Sequence, residues 1–318
     1  MAAKNQQMAN VTLESVIATA VQIPGVRVNR EAFLREQFKK ENKSVIEQIV
    51  EDGPVNAHID RDILRRIAKR IIAERTIVST GASFVAGLPG GLAMAATIPA
   101  DMLQFYGVAL RMAQELAYLY GETDIWNGEV IDNEKVTNQL ILYCGVMLGA
   151  SGAAQAVRVM SSALAKQMLK VLPKKALTKT FYYPIIKTIS KYFGITMTKG
   201  LFAKGVSKAV PILGGVVSSG ITFATLKPMG QRLADTLDDA HFSYTVEEFR
   251  EDWEDIIEIA DEEENVENKK ESLEESRAAT TSASAVMEEI KQAKQFLDDG
   301  ILTEQEFTAL KAKLIAKL

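Results

Sequence analysis

The sequence predicts an all-α protein: a helical bundle with Gly/Ala-rich apolar helices, followed by a separate C-terminal two-helix module. Three observations predict it. Apolar residues recur at helical spacing, as with Ile63, Leu64, Ile67 and Ile71. Small residues recur every four positions in the apolar stretches, as Ala82, Ala86 and Gly90, as Gly87, Gly91 and Ala95, and as Gly145, Gly149 and Ala153. That spacing lets two helix backbones approach closely, in membranes and in tight soluble bundles alike. Near the C-terminus a helix stop, Asp298, Asp299 and Gly300, is followed at once by a capping box, Thr303 to Glu306.

The 318 residues can bury one large core, or one domain of about 200–250 residues with a small appendage. Hydrophobic residues make up 47% and charged residues 25%. A mean hydropathy of +0.01 is high for a chain with so acidic a tail, so the apolar residues must be concentrated elsewhere. Cys144 is the sole cysteine, which excludes an intrachain disulfide and fits a reducing compartment. No apolar run follows the charge at the N-terminus, so no secretory signal is expected and a cytoplasmic chain is.

The net charge of −4 conceals a segregation. From Lys135 to Ala234 there is no Asp or Glu, while the same 100 residues hold fourteen Lys and Arg. From Glu247 to Arg277 there are fifteen acidic and four basic residues. Such asymmetry points to an anionic partner for the first segment and a solvated tail for the second.

In chain order, residues 1–44 read as a helical extension and 45–261 as the main helical domain. Residues 262–284 read as an acidic, then Ser/Thr/Ala-rich linker, and 285–318 as the helical hairpin. The run Asp62–Ile72 is a helix whose Arg65, Arg66, Lys69 and Arg70 lead into the first apolar stretch. Three uncharged stretches follow: Thr76–Ala100 with 25 residues, Val136–Val157 with 22, and Ala209–Leu226 with 18. Each is long enough to cross a bilayer, which takes about 20 apolar residues. Their Gly, Ala, Ser and Thr content, with Pro89, Pro99 and Pro211, equally suits buried core helices or hairpins.

Asp101–Tyr120 reads as a strong helix capped by Gly121. Asp101, Gln104, Arg111 and Glu115 fall on one stripe of it, with Arg111 and Glu115 an i,i+4 pair. The stripe is either an internal polar network or a small-ligand site. Beyond it, Lys166 and Lys170, Lys187 and Lys191, and Lys204 and Lys208 share helical faces, with Lys174, Lys175 and Lys179 between them. Aromatic and aliphatic residues interleave with these lysines, the pattern that an anionic lipid surface selects. Nucleic acid is a weaker candidate, because no zinc-finger spacing, RNA-binding aromatic array or helix-turn-helix is present. In the hairpin, Met287–Leu297 places Ile290, Ala293 and Leu297 on one face, and the second helix carries Phe307, Leu310, Leu314 and Leu318. Two helices this short bury too little to stand alone, which makes Leu297, Phe307, Leu310 and Leu314 candidate docking residues.

Motifs of catalysis are missing. His58, His241 and Cys144 cannot build a His/Cys metal site of the usual spacing. There is no nucleophile elbow, phosphate loop or dinucleotide fingerprint, and Gly87–Gly91 reads as a turn between helices. Cys144 reads as an inert buried thiol, and Asp238 and Asp239 before His241 as an exposed helix end. No cofactor or metal is expected.

Two segments carry a family resemblance. Gly87–Asp101 running into Gln114–Gly121, and Lys199–Gly215 continuing to Arg232–Asp235, resemble motifs of the bacterial EcsC protein family, over residues 45–245 or so. Leu297–Phe307 with Lys311 and Leu314 is similar to the short C-terminal domain called SHOCT. The first resemblance implies a helical protein without an established activity, and the second an oligomerisation or docking role. The reading that follows is a non-enzymatic scaffold or regulator. It would be cytoplasmic, peripheral to or partly inserted in the inner membrane, and would self-associate or recruit partners through residues 287–318. The alternative is a soluble enzyme or ligand-binding domain using the 101–115 stripe.

Overall fold

A computed structural model describes residues 12–78, 98, 100–126, 133–162, 164, 183–197 and 219–315. Most of those residues are helical, with no strand among them, so the fold is all-α. The chain divides into two compact units, Met1–Ala260 and Asp261–Leu318.

The first unit is built around a helix that is apolar on nearly every side. This helix, α5 (Ala100–Leu119), buries Met102, Leu103, Leu110, Met112, Leu116 and Tyr118, among others. A helix apolar all round must be surrounded. Around α5 lie α1 (Leu13–Ala20), α2 (Arg30–Gln37), α4 (Arg61–Val78), α6 (Asn133–Leu148) and α9 (Ser219–Phe242). Between them in the chain come α3 (Lys43–Asp52), α7 (Ala153–Ser161) and α8 (Tyr183–Met197). The first turns of α10 (Val246–Asp298) add Phe249, Trp253 and Ile256 to the same core, with the Phe249 and Trp253 rings stacked at 6.3 Å.

Local chemistry sets the helix ends. Thr12 and Ser15 close α1 with a reciprocal capping box, and the Asn29 side chain caps α2 by accepting from the Ala32 N–H at 2.8 Å. After α5 the Glu122 N–H reaches back to the Ala117 carbonyl at 3.0 Å, so the chain turns at Gly121 as the sequence predicts.

Residues 12–44, expected as an extension, are part of the main core: Leu13, Val16, Leu34 and Phe38 belong to its buried cluster. The 22-residue stretch Val136–Val157 is not one helix. It breaks after Leu148, with Gly149 and Gly152 at φ 74° and 76°, and resumes as α7. Its side chains Leu140, Ile141, Met147 and Ala153 are buried in the bundle, which is the core-helix reading. Among the described residues no helix is long and apolar enough to cross a membrane. Most of Thr76–Ala100 and Ala209–Leu226 lies outside the described residues.

The second unit contains the remainder of α10 and α11 (Glu304–Ile315). The stretch 262–284, expected as a linker, is helical and lies within α10, so the first helix of the hairpin begins far upstream of Met287. The hairpin turn follows the sequence closely. Ile301 donates to the Phe296 carbonyl at 2.9 Å and Gly300 to the Leu297 carbonyl at 3.0 Å, with Gly300 at φ 75°. Thr303 and Glu306 then cap α11 reciprocally. Ala293 and Leu314 are buried, Leu297 and Phe307 are half-buried, and Leu310 is exposed.

Candidate functional site

Helix α4 carries Arg61 and Arg65 one turn apart, and both arrive at the same carboxylate on α9. Asp238 Oδ2 accepts from Arg61 Nε at 3.0 Å and Nη2 at 2.7 Å, and from Arg65 Nη2 at 2.7 Å. The Tyr120 hydroxyl lies 3.5 Å from Oδ1. The Asp238 side chain is only 6% exposed, so its charge depends on these partners. Burial pushes its carboxyl pKa up, but the hydrogen bonds and charges of Arg61 and Arg65 outweigh burial and hold it below the usual carboxylate range. Burial raises the Tyr120 phenol, which stays protonated. One turn along α9, burial lowers the His241 imidazole to about 4, against a smaller upward pull from Asp238. The expectation that Asp238 sits on an exposed helix end is corrected: it is a buried tie between α4 and α9.

A second carboxylate, Glu115 of α5, is buried to 1%. Arg75 of α4 grips it with two bonds of 2.6 Å, and Arg111 adds a third of 3.0 Å. Arg111 also donates to the Gly25 carbonyl, tying the loop after α1 to α5. Beside it Gln114, fully buried, accepts from the Val28 N–H at 3.1 Å and the Trp126 indole at 2.7 Å, and donates to the Val26 carbonyl at 3.0 Å. The third clamp joins α7 to α10: Arg158 meets both oxygens of Asp252 at 2.8 and 2.7 Å, and the Tyr244 hydroxyl donates to Asp252 at 2.6 Å.

Of the predicted stripe, then, the structure brings together Arg111 and Glu115 and adds Arg75, which was not foreseen. Gln104 is half-buried on the same helix, and the Asp101 side chain lies outside the described residues. With both Glu115 oxygens bonded to arginine, the Glu115 end of the stripe is an internal polar network. Cys144 is buried in α6, and burial alone pushes its thiol up to about 12, too high for a nucleophile at neutral pH. Among the described residues no group of His, Cys, Asp and Glu could hold a metal ion.

Family models, curated proteins and solved structures give no match to this chain. Assignment therefore rests on geometry. Of the lysines predicted to meet an anionic surface, Lys187 and Lys191 are described, on α8. Lys166, Lys170, Lys174, Lys175, Lys179, Lys204 and Lys208 lie outside the described residues. On α8 the core-facing residues are Ile185, Ile186 and Ile189, all buried. Tyr183 and Lys191 are exposed, and the Lys187 ammonium sits 5.1 Å from the centre of the Tyr183 ring.

Proposed function

We propose that the chain is a non-enzymatic membrane-associated scaffold or regulator, related to the EcsC proteins and carrying a SHOCT-like hairpin. In this reading a lysine-rich region meets anionic lipid and residues 287–318 recruit further copies or a protein partner. The observation that carries the reading is α8, amphipathic with an apolar face in the core and an outward face of Tyr183, Lys187 and Lys191. It sits within 100 residues that contain fourteen positive charges and no acid. A neutral solvated helix mixes signs, whereas an anionic surface rewards basic and aromatic residues on one face. The exposed Phe296 and Ile301 at the hairpin turn support the recruiting role of the second unit.

Sedimentation of the full chain with lipid vesicles tests this. Binding is expected to vesicles containing phosphatidylglycerol, not to pure phosphatidylcholine, and to fall with added salt. Each lysine near such a surface contributes about 1 kcal/mol, so Lys187→Gln with Lys191→Gln should weaken binding roughly 30-fold. Equal recovery with neutral vesicles, or no binding to either, sinks the proposal.

A further inference from the structure

A cavity of about 210 Å³ opens between α4 and α9, with Tyr120 at its side. Its base is apolar, formed by Ala68, Ile72 and Ala234. Its α4 wall presents Arg65 and Lys69, one turn apart, and its α9 wall presents Gln231 and Asp235, also one turn apart. The charges are unevenly used. Arg65 gives Nε and Nη2 to Asp238, while its Nη1 makes no hydrogen bond among the described residues. Lys69 makes neither a hydrogen bond nor an ion pair among the described residues, and Asp235 receives one bond, from Gln231 Nε2 to Oδ1 at 2.8 Å. Asp238, also on the α9 wall, pairs with Arg65, whereas Lys69 and Asp235 line facing walls of the same cavity with no ion pair to each other.

We propose that this cavity binds a small zwitterion, its anionic group on Arg65 and Lys69 and its ammonium on Asp235. Asp238 takes no part in recognition, because arginine and tyrosine already occupy both of its oxygens. It holds Arg65 in place, so that one edge of a fixed guanidinium faces the cavity. Guanidinium and ammonium donors side by side suit a carboxylate or a phosphate. The size sets the rest. Water occupies about 30 Å³ in the liquid, so the cavity takes roughly six to ten heavy atoms. It is smaller than the roughly 300 Å³ at which pockets for drug-sized ligands begin, which suits a small solute or headgroup better than a whole nucleotide. An ammonium joined through two carbons to an anion fits, whether as a free solute or as the headgroup of phosphatidylethanolamine.

Calorimetric titration of the full chain with O-phosphoethanolamine, in the absence of membranes, tests the site independently of vesicle binding. Saturable binding is expected, weakened at least tenfold by Lys69→Ala and by Asp235→Asn, and retained in Lys69→Arg. Both positions are exposed, so unchanged melting temperatures confirm that the variants are folded. Inorganic phosphate and ethylamine, each carrying one half of the charge pattern, should bind at least tenfold more weakly. No saturable binding overturns the proposal, as does phosphate binding as well as the zwitterion, or an Asp235→Asn variant that binds like the parent. Competition by phosphatidylethanolamine vesicles would assign the ligand to a lipid headgroup, and lack of competition to a free solute; both results support the site.

Discussion

Glu115 has almost no solvent and, among the described residues, no hydrogen-bond partner besides two arginines, whose own side chains remain 24% and 29% exposed. Breaking a buried ion pair by removing one member costs about 3–5 kcal/mol, because the other charge is left behind. Arg75 and Arg111 can turn partly to water, so Glu115→Gln should cost less, about 2 kcal/mol. The denaturant midpoint should fall accordingly, while Glu31→Gln, at an exposed pair with Arg35, should leave it unchanged. Equal midpoints for the two variants would show that the clamp contributes nothing. Half of this clamp was legible beforehand, since Arg111 and Glu115 are four residues apart on one helix. Arg75 was not legible, because it lies 40 residues from Glu115, and a fold has to bring them together. The same distance hid Asp238, whose partners are 173 and 177 residues away. Nothing local separates a buried aspartate of this kind from a solvated one.

Helix ends and helix spacing were more accessible, because they depend on neighbours within a turn. The Gly300 stop and the Thr303–Glu306 cap occur where their residue types predict. The repeat of Gly145, Gly149 and Ala153 was read as one face, and the structure divides it. Gly145 lies inside α6, where an added Cβ would stand 2.5 Å from Ile189 Cδ1 and 3.0 Å from Ala153 Cβ, so its smallness does permit close approach. Gly149 has left the helix and serves the turn at φ 74°, with open space around the missing Cβ. The two should answer differently to substitution. Gly145→Ala gains about 1 kcal/mol of helix propensity but overpacks the junction at about 1–3 kcal/mol, so the melting temperature should fall. Gly149→Asn should cost little, because asparagine tolerates the left-handed region. A rise in melting temperature for Gly145→Ala would show that α8 can move away freely. The helical course of 262–284 was not legible because the composition there lacks large apolar groups. Glu, Lys, Ala and Arg nonetheless have high intrinsic helix propensity, enough to carry the helix through a stretch with few large apolar groups.

For the molecule as a whole, the three arginine–carboxylate clamps share one arrangement: a buried acid on one helix held by at least one partly exposed arginine from another. Asp238 joins α4 to α9, Glu115 joins α4 to α5, and Asp252 joins α7 to α10, so the first unit is fastened at several of its helix contacts. Such a structure has a direction to its pH response. Asp238 has a folded pKa below its unfolded one, so its stabilisation is present above about pH 4 and disappears as the pH falls further. His241 acts earlier. Its folded pKa of about 4 is below the ordinary 6.5, because burial disfavours the imidazolium. Between these values the unfolded chain binds the proton and the folded chain does not, so stability falls as the pH drops from 6.5 through 4. At pH 5 the loss amounts to at most about 2 kcal/mol, reduced to the extent that water reaches the half-buried ring. Urea midpoints at pH 7 and pH 5 for the parent and for His241→Gln separate this from the background titration of exposed acids. The parent should lose more stability than the variant over that interval, and the difference should close above pH 7. Equal losses would mean that His241 takes up its proton in the folded state at its ordinary pKa, and that the acid response belongs to the carboxylates alone.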